Sequence, residues 1–201
     1  MNMDRRGVLI GLAALAASPA HAQSSPAEMT IGAARAPLHL VEYASATCGH
    51  CAHFHEANWA QLKSAYIDTG RVRFTMREMA TPPAQVAFGM FQLARCGGAG
   101  ADEYFRRLGI LFQRQRAILG AGSMAGVRDA LVALGAEWGL SSEQVMASLQ
   151  DEAGSARLQR SINEAAERGV DSTPSFFLNG AALDASFQTP AGMRAALDAA
   201  R

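Results

Sequence analysis

The chain has 201 residues, and its 18 lysine and arginine residues balance its 18 aspartate and glutamate residues. Such a balance produces no field that favours nucleic acid or anionic lipid, so no nucleic-acid partner is expected. The three cysteines are too few for a disulfide scaffold, and the fold must therefore depend on a hydrophobic core.

The N-terminal segment predicts export from the cytoplasm. The chain begins with a segment that carries two arginines, Arg5 and Arg6, and an apolar stretch follows over residues 7–17. Next comes Ala20-His21-Ala22, a small-residue pattern that is typical of a signal-peptide cleavage site. We therefore predict a signal peptide over residues 1–22 and a soluble mature domain over residues 23–201 in the periplasm. The arginine pair also leaves a twin-arginine export route open.

The first half of the mature chain alternates strand and helix signals. An edge strand is predicted at residues 29–31 and a buried strand at residues 38–43. An amphipathic helix follows over residues 48–70, with glycine at its stop position. Apolar and polar residues then alternate over residues 72–77, as in a strand. Strand, helix and strand in this order form a βαβ unit, whose crossover makes the two strands parallel.

Helical patterns dominate the middle of the chain. Pro82-Pro83 opens a helix that closes at Cys96, and further apolar stripes continue to a stop at Gly169. One of these helices is predicted to begin with a capping box made by Ser141 and Gln144.

The C-terminal part returns to strands. Asn179-Gly180 separates two short apolar runs, residues 175–178 and 181–184, which predicts a hairpin. Thr189-Pro190 then begins a terminal helix. The sequence thus predicts one α/β domain into which the middle helices are inserted.

The most informative motif is Cys48-Gly-His-Cys51, at the junction between the buried strand and the first helix. Two sulfurs at this spacing can close a small disulfide. Free backbone N–H groups and the helix dipole favour a thiolate on the first sulfur. Cys48 is therefore the candidate nucleophile, and a purely structural disulfide is disfavoured because so short a loop constrains the unfolded chain little.

A second motif lies far along the chain. In Asp171-Ser-Thr-Pro174 a proline directly precedes a hydrophobic strand, and an X-Pro bond adopts the cis form at the smallest cost. Thr173-Pro174 is therefore a candidate cis bond.

Together, the segments over residues 41–51 and 170–180, which flank the helical region, resemble the DsbA family of exported thiol:disulfide oxidoreductases. The resemblance implies a thioredoxin-like fold with a helical insertion at about residues 98–169. It also implies that Cys48 attacks substrates and that Thr173 and Pro174 form a substrate-binding loop beside the dithiol. Gly49 departs from the family, in which proline is more frequent; Gly-His is the dipeptide typical of protein disulfide isomerases.

Two further residues are candidates for the catalytic site. Glu42 is an acid within an apolar strand, it matches the buried acid of the family, and it can accept or relay the proton of Cys51. An exposed edge-strand glutamate is the alternative. His50 can donate a hydrogen bond or a positive charge to the Cys48 thiolate; the alternative is a solvent-facing side chain.

The remaining histidines and the third cysteine are assigned no catalytic role. His53 and His55 are interpreted as solvated helix residues, with His55 pointing away from the other ligand-type side chains, so no metal site is predicted. Cys96 is interpreted as a buried small hydrophobe at a helix end, with a regulatory thiol as the alternative.

The prediction is an exported dithiol oxidase, active as a monomer and without a cofactor, that acts on reduced exported proteins. By resemblance, a DsbB-like quinone-linked membrane oxidase would reoxidise it. Two alternatives stay open: a disulfide reductase or isomerase that uses the same site, and a copper or zinc carrier that uses Cys48, Cys51 and a histidine.

Overall fold

The computed structural model describes residues 28–200, so the predicted signal peptide lies outside the described residues. The first strands are β1, Met29–Ile31, β2, Leu38–Ser45, and β3, Val72–Met79. β2 pairs with β3 in parallel, whereas β1 pairs with β3 antiparallel. The predicted βαβ unit and the predicted edge strand are both confirmed.

The crossover between β2 and β3 is a helix that covers one face of the sheet. This helix, α1, spans Gly49–Gln61 and continues as a π-helical segment over Leu62–Ile67. The chain leaves it through Gly70, whose φ of 76° lies in the left-handed region that glycine adopts at little cost. Because α1 begins only a few residues after β2 ends, the first turn of α1 lies at the carboxyl end of β2.

Five helices lie between β3 and the next strand. They are α2, Ala84–Arg95, α3, Ala101–Leu119, α4, Met124–Glu137, α5, Ser142–Leu149, and α6, Glu152–Glu167. The predicted capping box is present at α5, where Ser141 and Gln144 bond each other's backbone N–H groups. Of the boundaries predicted for the insertion, residue 98 lies between α2 and α3 and residue 169 lies two residues after the end of α6; these boundaries stay a prediction. Within residues 28–200, no helix is long and apolar enough to cross a membrane.

The predicted hairpin is formed by β4, Ser175–Leu178, and β5, Ala181–Ala182. Its turn residues Asn179 and Gly180 have φ values of 50° and 86°, as a two-residue hairpin turn requires. β5 ends two residues earlier than predicted because Asp184 caps a 3-10 turn over Ala185–Gln188. The last helix, α7, Pro190–Ala199, begins at the predicted Thr189 cap.

The strand order is β1-β3-β2-β4-β5, which makes β2 the central strand. The main hydrophobic cluster lies between one face of the sheet and the helices, and it includes Leu40, Phe54, Phe74, Leu108 and Phe176. A smaller cluster, Val41, Tyr43, Ala165 and Val170, packs α6 against the other face. Both faces of β2 are therefore covered, and the predicted α/β architecture with an inserted helical region is confirmed.

Candidate active site

The Cys48-Gly-His-Cys51 motif forms the turn from β2 into α1. Cys48 is the N-cap of α1, with φ −80° and ψ 118°, and its N–H donates to the carbonyl of Ser45 at 3.1 Å. The preceding residues are tied to the loop after β3: the Thr47 hydroxyl donates to the Thr81 carbonyl at 2.8 Å, and the Thr81 N–H donates to the Ser45 hydroxyl at 3.0 Å. These bonds hold the first cysteine at the end of the helix where backbone N–H groups are unpaired.

The inserted helices hold the same turn from the other side. Gln115 of α3 is buried, and its Nε2 donates to the carbonyls of Ala46 and Cys48 at 2.8 and 3.0 Å. The Ala46 carbonyl would otherwise be buried without a donor, whereas the Cys48 carbonyl also accepts from the Ala52 N–H at 3.1 Å. Gln115 thereby links the helical region to the backbone of the first cysteine.

The Cys48 thiol is 8% exposed, and the pKa of this thiol is lowered from an ordinary value of 9.0 to about 5. The largest cause is a hydrogen bond from the Cys51 thiol; burial opposes it, and the Thr173 hydroxyl lowers the pKa further. The backbone N–H groups of Cys51 and His50 act in the same direction. At neutral pH Cys48 is therefore a thiolate.

Cys51 has the opposite character. It lies beneath Cys48 with no exposed surface, and burial raises its pKa well above the ordinary value. The hydrogen bond to Cys48 and the nearby charge of Glu42 raise this pKa further. The pair therefore consists of a thiolate that keeps a small exposed surface and a fully buried thiol that must exchange a proton whenever it reacts.

Glu42 is fully buried in the central strand, so the alternative of an exposed edge-strand glutamate is wrong. Its Oε2 lies 2.8 Å from the Nε2 of His55, and its Oε1 has no hydrogen-bond partner among residues 28–200. A buried carboxylate is stable only with a partner that carries or donates a proton, and His55 is that partner.

The interpretation of His55 as a solvated helix residue is therefore wrong. The residue is 6% exposed, and its ring packs between Trp59 and Phe112, with centroid distances of 5.1 and 4.6 Å. It lies on the face of α1 that also carries the buried Cys51, four residues earlier, and this face is turned toward β2. His53 is exposed, as predicted.

The remaining predicted site residues take different positions. The Thr173-Pro174 bond is cis, and the Cys48 Sγ lies 3.3 Å from the Thr173 carbonyl, so the two motifs meet as predicted. His50 is exposed and acts on Cys48 through its backbone N–H. Cys96 is buried at the C-cap of α2, where its Sγ lies 3.5 Å from the Gln144 carbonyl.

Two functional residues were missed or misread in the sequence, and both carried a signal. Gln115 continues the apolar stripe of α3 after Leu111 and Phe112, where a polar residue is unusual. His55 likewise interrupts the buried stripe of α1 between Phe54 and Asn58. A polar side chain on a buried stripe requires a partner, although the pattern does not identify that partner. Among residues 28–200, no group of three or more histidine, cysteine or acidic side chains is arranged to hold a metal ion.

Comparison with known proteins agrees with this geometry. A family model described as thioredoxin matches residues 24–199. A Rickettsia prowazekii protein provisionally named a protein-disulfide oxidoreductase is 29% identical over 154 residues, or 76% of this chain and 54% of that protein. The chain thus spans about half the length of the curated relatives it matches.

Solved structures share the fold. The crystal structure of alpha-DsbA1 from Wolbachia pipientis superposes with a TM-score of 0.76 at 20% identity, and covers 87% of this chain and 91% of that one. A protein-disulfide isomerase from Novosphingobium aromaticivorans superposes with a TM-score of 0.70 at 21% identity, and covers 86% and 96%. These matches confirm the predicted thioredoxin-like fold and the resemblance to DsbA-type structures.

Proposed function

The chain belongs to the thioredoxin family, and from that premise we propose that it is an exported thiol:disulfide oxidoreductase that introduces disulfides into substrate proteins through Cys48 and Cys51. The single observation that carries the proposal is the contrast between the two thiols. The pKa of Cys48 is about 5, whereas that of Cys51 is raised well above its ordinary value. A stabilised Cys48 thiolate favours the reduced form, which makes the disulfide form a stronger oxidant.

The transfer takes place in two steps. A substrate thiolate attacks the Cys48 sulfur of the Cys48–Cys51 disulfide; the sulfur–sulfur bond breaks, and Cys51 leaves with the electron pair and takes up a proton. A second substrate thiolate then attacks the substrate sulfur of the mixed disulfide, and Cys48 leaves as a thiolate. The substrate loses two electrons, and the protein gains them as a dithiol.

The order of attack follows from accessibility. Cys48 lies at the helix start beside the Thr173 carbonyl, whereas Cys51 has no exposed surface. The backbone of Thr173 and Pro174 would lie along an extended substrate segment and could bond it in the manner of an added strand.

The site must be reoxidised after each cycle. We propose that a DsbB-like quinone-linked membrane oxidase accepts the two electrons, that reduced exported proteins supply them, and that the protein works as a monomer in the periplasm. The signal peptide predicted over residues 1–22 supports this location, and no cofactor is required because both sulfurs belong to the chain.

Measuring the reduction potential of the Cys48/Cys51 couple against glutathione tests the direction. We expect a potential well above the approximately −270 mV of thioredoxin and toward the approximately −120 mV of DsbA. Oxidative refolding of a reduced, denatured disulfide protein should proceed with the oxidised protein and fail with Cys48→Ser. A potential at or below that of thioredoxin would make the protein a reductase.

An isomerase role is the second candidate. The Gly49-His50 dipeptide favours it, because Gly-His is typical of protein disulfide isomerases, and one matched structure carries that name. Recovery of activity from a scrambled-disulfide substrate would distinguish this role from simple oxidation. A copper or zinc carrier would instead retain metal after purification and would show little disulfide transfer.

A further inference from the structure

The proposed redox cycle needs a route by which protons reach and leave the fully buried Cys51 thiol. Cys51 gains a proton when it leaves the disulfide and loses one when it attacks the mixed disulfide during reoxidation. Glu42 is the acid whose charge acts on Cys51, yet it is itself fully buried. A buried carboxyl that takes the Cys51 proton must pass it onward before the next cycle, and this requirement rests on the proposed function.

His55 is the group in contact with that carboxyl. Its Nε2 lies 2.8 Å from Glu42 Oε2, and the packing of its ring between Trp59 and Phe112 fixes that orientation. With Nε2 engaged, the other ring nitrogen, Nδ1, has no hydrogen-bond partner within residues 28–200. Imidazole can accept a proton on one nitrogen and release one from the other.

His55 also borders a solvent-connected cleft of about 520 Å³ between α1 and α3. Gly49, Glu56 and Arg116 line the same cleft, which therefore reaches from the first turn of α1 down to the imidazole ring. Polar side chains from both helices line it, so water can occupy it.

We propose that His55 relays protons between Glu42 and the water of this cleft, and so connects the buried Cys51 with solvent. During reoxidation the Cys51 proton passes to the Glu42 carboxylate, and the Cys51 thiolate attacks Cys48 to form the disulfide. The oxidant's thiolate leaves with the electron pair. His55 at this stage is protonated on Nδ1 only, so its free Nε2 accepts the proton of the Glu42 carboxyl, and the ring then releases the Nδ1 proton to water. During substrate oxidation the proton travels in the reverse direction.

His55 is thus a positioning and relay residue that acts through Glu42 and does not touch the sulfurs. The titratable groups that surround it are Glu42 on β2, Cys51, His53 and Glu56 on α1, and Arg116 on α3. His53 borders the same cleft, but it is exposed and Glu42 bonds to His55 instead, which makes His53 the matched control.

The experiment separates the two thiol reactions in time. Reduced protein is mixed rapidly with excess oxidised glutathione, quenched with acid, and analysed by mass spectrometry. The first rate is the formation of the Cys48–glutathione mixed disulfide, and the second is its resolution by Cys51. Wild type, His55→Gln, His55→Ala and His53→Gln are compared from about pH 5 to 8, where imidazoles exchange protons.

We expect His55→Gln, which retains a hydrogen-bonding group beside Glu42, to leave the first rate unchanged and to slow the second by at least about tenfold. The second rate should also lose its dependence on pH. Added imidazole should restore resolution in His55→Ala, where it can enter from the cleft, and His53→Gln should behave as wild type.

Two results would overturn the relay. One is an unchanged second rate in His55→Gln. The other is a slower second rate that retains the wild-type pH dependence and is not restored by imidazole, because that result indicates only a packing role. Absence of mixed-disulfide formation in the wild type would instead refute the proposed function and the relay with it, so the two failures are distinguishable.

Discussion

The hydrogen bond from the Cys51 thiol is the largest cause that lowers the Cys48 pKa to about 5, and Cys51→Ala removes it. A hydrogen bond to a charged group contributes about 1.5–3 kcal/mol. Since one pH unit corresponds to about 1.4 kcal/mol, the Cys48 pKa should rise by about one to two pH units in Cys51→Ala. Cys51→Ser keeps a hydrogen-bond donor at the same place, so the Cys48 pKa should stay lower in this variant than in Cys51→Ala.

The assay is thiolate absorbance in the ultraviolet against pH. The variants are made in a Cys96→Ser background, so that only the Cys48 thiol titrates. If Cys48 has the same low pKa in Cys51→Ala and in Cys51→Ser, the Cys51 hydrogen bond does not cause the low pKa of Cys48, and this assignment is wrong.

The same pKa makes the stability of the reduced protein depend on pH. The folded state favours the Cys48 thiolate, so this contribution is complete above the ordinary pKa of 9.0 and is lost as the pH falls through about 5. At pH 7 it is on the order of 3 kcal/mol, equivalent to about 60 mV toward a more oxidising couple. Urea unfolding of the reduced protein measures it, with Cys48→Ser as reference. If the difference in the free energy of unfolding between the reduced wild type and Cys48→Ser stays constant from pH 7 to 4, that result contradicts the argument.

Three other substitutions have separate outcomes. Cys96→Ser should leave disulfide transfer nearly intact, and mass mapping of the oxidised wild type should find Cys96 free; a bridge to it would refute this. Gln115→Leu leaves the buried Ala46 carbonyl without a donor, so it should lower the free energy of unfolding by about 2 kcal/mol, whereas the exposed Gln113→Leu should not. Glu78→Gln weakens a buried ion pair with Arg95 at 2.8 Å, and should cost about 3 kcal/mol in urea unfolding; an unchanged midpoint would show that the pair contributes nothing.

Much of the fold was predictable because its signals are local. The Asn179-Gly180 turn, the Ser141 capping box and the Thr189 cap each depend on backbone conformations that only a few residue types favour, and all three are present. The dithiol motif could also be identified from the sequence, because the position of Cys48 at a strand-to-helix junction already places its sulfur near free N–H groups.

The surroundings of the Cys48/Cys51 pair depended on contacts between segments distant in the sequence. Glu42 and Thr173 come from separate strand regions, and Gln115 comes from a helix inserted between them. The sequence showed that Glu42 was an acid in an apolar strand, but only the sheet order made that strand central and therefore buried.

His55 shows most directly which features the sequence determines and which depend on the tertiary structure. Its position on α1 follows from helical periodicity, so its face on the helix was determined by the sequence. Whether that face met solvent or β2 depended on how α1 docks between the sheet and α3. Periodicity defines which residues share a face, whereas packing decides what the face contacts. The sequence alone therefore identified the Cys48/Cys51 pair as the candidate site, and only the tertiary structure placed His55 beside the buried Glu42.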